Sequence, residues 1–192
     1  PQLAPRLIVA AQLPAGRSLD EALPPDLRPR LSAAADRVGL SGAALQRMQP
    51  WMVATLLTLR AAQSAGFGTD QGVDLWLART ARARGLPLVA LESVDRQIEA
   101  LAAGGDAAQL ASLVEVVELI ERGAAPAYFA GMLAAWRGGD AAAIDRIVRE
   151  ESASPAMAPL LADLLDARNR EMADAIVARL QPGRRVFVAV GA

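Results

Sequence analysis

Two short apolar runs constrain the fold most, because each has the composition of a buried β-strand within a sequence that is otherwise helical. They are LPLVAL at residues 86–91 and VFVAV at residues 186–190. Short branched apolar runs that begin at a proline or follow a turn are typical of strands in a parallel sheet. Two isolated strands do not form a stable sheet alone. We therefore expect a predominantly helical α/β (α+β) fold with a small central sheet, of which about two strands lie in this chain.

The remaining segments have helical periodicity, and several begin or end at recognisable caps. Ser18 and Glu21 have the spacing of a capping box, and Pro50 suits the first position of an apolar helix that extends to Ala65. A long helix is predicted from Ala158 to Leu180. The length favours one domain over residues 1–192, and we expect this domain to be a fragment because the sheet needs further strands.

Composition excludes several classes of function. The 20 basic residues, all arginine, and the 21 acidic residues give a net charge of −1, and without a basic stripe no nucleic-acid partner is expected. The chain has no cysteine and no histidine, so disulfides and thiolate sites are excluded and a metal site in this chain alone would need carboxylates. The longest uncharged apolar run, residues 51–59, is too short for a transmembrane segment.

One arginine interrupts the apolar face of the long C-terminal helix. The apolar stripe on this face consists of Leu161, Leu165, Met172 and Ile176. Arg168 falls in a gap of this stripe, and Asn169 lies one turn after Leu165. Burying an unpaired charge is costly, so an Arg168 that faces inward needs a partner or a ligand. The alternative is that Arg168 turns outward from the edge of the stripe, and the sequence leaves both open.

Two acidic residues lie at positions where a functional and a structural role are both reasonable. Glu92 directly follows the apolar run 86–91, and ligands bind at the carboxyl ends of strands in open α/β sheets. Its structural role would be a favourable interaction with the start of the next helix, which Ser93 can cap. Asp74 lies in the first turn of its helix, where it would complement the helix dipole. Asp163 and Asp166 have the spacing of ordinary surface charges.

Five stretches of the chain carry a family resemblance through their order and spacing. They are LPAGRSLDEALPPDLRPRL, MQPWMVATLLTL, AGFGTDQGVDLWLARTARARGLPLVALESVDRQ, DARNREMADAI and VFVAVGA. Together they resemble the TraB/GumN family, which is related to the Tiki proteases of animals. The resemblance covers nearly the whole chain.

The resemblance implies a hydrolytic site to which this chain contributes only part. The family has two G-x-x-H motifs, and the second commonly reads V-G-A-G-H, so Gly191 matches its beginning. Both histidines would lie outside this chain, which would therefore be truncated at both ends. Glu92 and Arg168 would converge with them, with Asp74 and Asn169 as supporting residues. The implied chemistry is metal-dependent peptide hydrolysis, in which Glu92 is a metal ligand or general base and Arg168 steadies the developing oxyanion or the carboxylate itself.

The resemblance also implies partners and a location. The substrate would be a peptide or protein. The full-length parent would hold a divalent metal ion, which this chain alone would not bind tightly. This chain would be inactive as it stands. By this resemblance we expect a location in the periplasm or cell envelope. The alternative is a non-catalytic helical binding module with a role in envelope polysaccharide or conjugation functions.

Overall fold

The computed structural model describes residues 3–68, 72–151, 154–183 and 185–190, and helices make up most of them. The longest helices, α5, α8 and α9, lie in the middle of the chain. In chain order the α-helices are α1 (Leu3–Ala10), α2 (Leu19–Ala22), α3 (Leu27–Arg37), α4 (Gly42–Leu45), α5 (Pro50–Ser64), α6 (Val73–Ala83), α7 (Val94–Leu101), α8 (Gly105–Glu121), α9 (Ala125–Gly138), α10 (Ala141–Glu151), α11 (Ala158–Leu161) and α12 (Arg168–Val177).

Helix α5 lies at the centre of the largest core, as its apolar composition predicts. It packs along α8, and its Val53 and Leu57 belong to the same buried cluster as Leu113 and Val117 of α8. All four side chains are fully buried. Burying a side chain of this size stabilises the fold by about 1.5–3 kcal/mol, so the contact between α5 and α8 is a major source of stability.

An ion pair on the surface joins α3 to α8. Arg30 donates from Nη2 to Oε2 of Glu121 at 2.7 Å and from Nε to Oε1 at 3.1 Å. The two side chains are 35% and 28% exposed. Among the described residues, this bidentate pair has no hydrogen bond or ion pair with any residue predicted for the functional site, which makes it a useful internal reference.

The C-terminal helical stretch is continuous, but it is not a single α-helix as predicted. A 3₁₀ turn at Pro155–Met157 leads into α11, and a π-helical segment at Ala162–Ala167 then separates α11 from α12. A π-helix bonds residue i to residue i+5, and such turns are often found at functional sites. Arg168 is the first residue after this segment.

The prediction of an α/β fold with a small central sheet is wrong for the described residues. Neither residues 86–91 nor residues 186–190 form a strand there, and their large side chains are exposed, Leu88 by 51% and Phe187 by 79%. Branched apolar residues favour strands, but a strand requires a neighbouring backbone that supplies hydrogen bonds. The only such contact in the described part of the chain is an isolated antiparallel bridge between Gln12 and Met48.

None of the helices in the described ranges has both the length and the apolar composition of a membrane span when taken singly. Helices α7 and α8, which are bent by 77° at the break between them, pass that test only as a pair.

Candidate functional site

Glu92 and Arg168, which are distant in sequence, form a bidentate ion pair. Arg168 donates from Nε to Oε2 of Glu92 at 2.9 Å and from Nη2 to Oε1 at 2.5 Å. The side chains are 19% and 20% exposed. A guanidinium matches a carboxylate in this parallel geometry, which adds directional specificity to the attraction between the charges.

The pair fixes the ionisation of both groups. The hydrogen bonds from Arg168 hold the pKa of the Glu92 carboxyl below its usual range, against the opposing effect of burial. The same hydrogen bonds raise the pKa of Arg168. A carboxylate held in this way stays ionised at neutral pH.

Arg168 also makes a third contact, within its own helical stretch. Its Nη1 donates to the backbone carbonyl of Leu164 at 3.1 Å. Leu164 lies in the π-helical segment, so the guanidinium joins Glu92 to that segment. Of the two orientations that the sequence left open, Arg168 adopts the one with a partner.

A second arginine binds two carboxylates beside this pair. Arg96 of α7 donates from Nη1 and Nη2 to Asp163 at 3.1 and 3.0 Å. It also donates from Nε and Nη2 to Glu171 at 2.8 and 3.2 Å. The hydrogen bonds that Arg96 donates to Glu171 and Asp163 raise the pKa of Arg96. The Glu92–Arg168 pair and the Arg96 contacts together form what we call the charge network: Glu92, Arg96, Asp163, Arg168 and Glu171.

The other predicted site residues are not part of the charge network. Asp74 lies in the first turn of α6 and is exposed, and Asn169 is exposed in α12. No hydrogen bond or ion pair among the described residues joins either of them to Glu92 or Arg168. Gly191 lies outside the described residues.

An apolar cleft of about 420 Å³ adjoins the charge network through Leu164. Leu164 lines this cleft while its carbonyl accepts the hydrogen bond from Arg168. Trp51, Leu59 and Leu160 supply further apolar surface. A volume in this range suits a small ligand or one large side chain.

The described residues do not fit a divalent metal ion. No three His, Cys, Asp or Glu side chains in those residues are grouped as ligands. Glu92 directs both carboxylate oxygens to Arg168, whose positive charge opposes the approach of a cation. The donor set fits an ion pair, and no catalytic step through a metal is derived from it.

Sequence reasoning missed Arg96 and Glu171 and treated Asp163 as an ordinary surface charge. A signal was present for Glu171, which lies three residues after Arg168 in α12. Residues three or four apart share a helix face. Arg96 had no such signal, because Glu92 precedes the N-cap of α7 and shares no helix face with Arg96.

Comparison with known proteins gives one result at the family level. A family model described as the TraB/PrgY/gumN family matches residues 1–192, the whole chain. No curated protein sequence matches the chain, and no solved structure does.

Proposed function

We propose that this chain, which belongs to the TraB/PrgY/gumN family, takes part in the metal-dependent hydrolysis of peptides and that the Glu92–Arg168 pair lies at the substrate site. Family membership supports the reaction class. The observation that carries the assignment of the site is the bidentate pair between Glu92 and Arg168, which are 76 positions apart. The chain has no histidine or cysteine, so on this proposal it has no hydrolytic activity by itself.

In this proposal Arg168 contacts the substrate and Glu92 holds Arg168 in place. An arginine side chain has five N–H donors, and within the described residues Arg168 uses three of them in its bonds to Glu92 and Leu164. The other two are available to a substrate carbonyl oxygen, on which negative charge develops during hydrolysis. Glu92 is a weak general base because its pKa is lowered, whereas effective bases have a pKa near the working pH.

The apolar cleft supports a peptide substrate with a large apolar side chain. Such a side chain would lie against Trp51 and Leu160 while the neighbouring carbonyl oxygen meets Arg168. Leu164 contributes to both contacts. The proposal therefore favours leucine or phenylalanine next to the cleaved bond over small or charged residues.

The alternative is a non-catalytic binding module. It is favoured by the engagement of both Glu92 oxygens with Arg168, because the positive charge of Arg168 opposes the approach of a cation to this carboxylate. In that case the cleft and the Glu92–Arg168 pair bind a ligand without changing it.

The test is hydrolysis of a fluorogenic peptide library by the whole product of the gene, with Mn²⁺ or Zn²⁺ and with a chelator. We expect metal-dependent cleavage beside apolar residues, and a loss of about 100-fold or more in Arg168→Ala, the usual effect of removing an oxyanion-stabilising donor. Arg30→Ala removes a similar ion pair elsewhere and is expected to retain activity. A fully active Arg168→Ala would overturn the role of Arg168. An inactive wild-type protein that still binds apolar peptides would favour the binding module.

A further inference from the structure

We propose that Arg96 is the positioning residue of this site, because it fixes the start of α7 against the π-helical segment and so sets the geometry in which Glu92 meets Arg168. The importance of Arg96 to hydrolysis rests on the proposed function. The contacts that Arg96 makes do not depend on that function.

Arg96 contacts both helical elements that adjoin Arg168. Asp163 lies in the π-helical segment before Arg168, and Glu171 lies in α12 after it. One guanidinium therefore spans the helical stretch on both sides of Arg168, with four N–H···O contacts of 2.8–3.2 Å. Its side chain is 20% exposed, whereas that of Asp163 is 36% exposed and that of Glu171 is 52% exposed, so water competes least for the contacts with Asp163.

Arg96 is tied to Glu92 through the start of α7. Ser93 is the N-cap of α7, and its Oγ accepts a hydrogen bond from the backbone N of Arg96 at 3.1 Å. Glu92 precedes this cap directly. Because the cap fixes the backbone between Glu92 and Arg96, a shift of Arg96 is transmitted to the Glu92 carboxylate.

The π-helical segment explains how Asp163 and Arg168 both face α7. In an α-helix, residues five apart are separated by about 140° around the axis, so these two side chains would point in different directions. A π turn, which bonds residue i to residue i+5, brings positions 163 and 168 one above the other. Glu171, three residues further, shares the same face. Along this face the carboxylate of Asp163, the guanidinium of Arg168 and the carboxylate of Glu171 follow one another.

Removing Arg96 would change the competition for Arg168. Asp163 already acts electrostatically on Arg168, but its oxygens are bound by Arg96. Without Arg96, the carboxylates of Asp163 and Glu171 lose their partner and compete with Glu92 for the Arg168 guanidinium. We expect the Glu92–Arg168 pair to loosen.

The experiment measures the pKa of the Glu92 side chain by ¹³C-carboxyl NMR titration in this chain. Arg96→Ala, Arg96→Lys and the control Arg30→Ala are compared with the wild type. The charge of Arg96 itself lowers the pKa of Glu92, so Arg96→Ala alone does not separate charge from geometry. Lysine retains the charge but lacks the planar fork that binds two carboxylates, so Arg96→Lys is the decisive variant.

The proposal expects the pKa of Glu92 to rise in both Arg96 variants and to stay unchanged in Arg30→Ala. A wild-type value in Arg96→Lys would overturn it, because charge alone would then account for the effect. If Arg96→Ala fails to fold by circular dichroism, Arg96→Lys still decides. In the hydrolysis assay we expect a 10- to 100-fold lower kcat with KM within about twofold, since small misplacements act mainly on the chemical step. An inactive wild-type protein would refute the proposed function, while the titration would still test Arg96.

Discussion

The Glu92–Arg168 pair yields a quantitative prediction, because the chain contains a second bidentate pair with which to compare it. The perturbation is a double-mutant cycle with Glu92→Gln and Arg168→Met, which remove the charges and retain most of the side-chain volume. The reference cycle uses Glu121→Gln and Arg30→Met. A cycle isolates the interaction between two side chains from their other contacts.

The exposure of the two pairs sets the expected magnitudes. Exposed ion pairs contribute about 0.2–1 kcal/mol, whereas hydrogen bonds to charged groups contribute about 1.5–3 kcal/mol when water competes less. Glu92 and Arg168 are about one-fifth exposed, and Arg30 and Glu121 about one-third. We expect a coupling energy of about 1.5–2.5 kcal/mol for the first pair and about 0.5–1 kcal/mol for the second.

The assay is urea unfolding followed by circular dichroism at pH 7, with free energies taken from the midpoint and the slope. If the slope of the unfolding free energy against urea concentration is unchanged in the single variants, unfolding exposes the same amount of surface in each of them. A coupling energy for Glu92–Arg168 that is below 0.5 kcal/mol, or no larger than that of Arg30–Glu121, would refute the argument from burial and geometry.

Three further predictions concern stability. The folded pKa of Glu92 lies below the ordinary value of 4.5. The stability that Glu92→Gln loses is therefore present above pH 4.5 and disappears as the pH falls through the folded pKa. Urea unfolding of both proteins at several pH values checks this, and a stability difference that persists at pH 2 would contradict it. Leu57→Ala empties a fully buried site in α5 and is expected to cost about 3–4 kcal/mol in urea unfolding, whereas a cost below 1 kcal/mol would mean that α5 is not central. Gly104 has φ +82°, and a Cβ there would lie 2.7 Å from Cβ of Ala108, so Gly104→Ala should lower the melting temperature by strain and overpacking. Gly131→Ala, whose Cβ meets Ile147 at an ordinary 3.9 Å, should raise it, and equal effects would contradict this.

Local signals predicted most helix boundaries well. Pro50 begins α5 as expected. The predicted capping box is supported by the carboxylate of Glu21, which accepts a hydrogen bond from the backbone N of Ser18 at 3.3 Å. These features depend on residues only a few positions apart, which is why sequence alone reveals them.

The strand prediction was wrong because a strand depends on a partner rather than on its own composition. Residues 86–91 and 186–190 are apolar and branched, as strand residues are, but no paired backbone lies beside them in the described residues. The helix around Arg168 was placed correctly, but the π turn was not predicted. The π turn lets Asp163 contact Arg96 while Arg168 contacts Glu92, and these contacts between distant residues are not visible in the local sequence.

The site was predicted in part. Glu92 and Arg168 were singled out from their positions and from the family resemblance, and they do contact each other. Arg96 was missed because an arginine on a polar helix face has no distinguishing local pattern. Its importance follows from two carboxylates that approach it from distant parts of the chain.

The π turn makes this stretch tolerant of the loss of one residue as well as of changes in composition. Its six residues, Ala162–Ala167, are mostly apolar or small, and a similar side chain at most of these positions keeps the same backbone. Loss of one residue between Asp163 and Arg168 would place these two residues four positions apart, and an ordinary α-helix would then keep both on one face. The charge network would therefore be retained without a π turn. Related chains that keep this network should place the aspartate either five residues before the arginine, with a π turn, or four residues before it, in an ordinary α-helix.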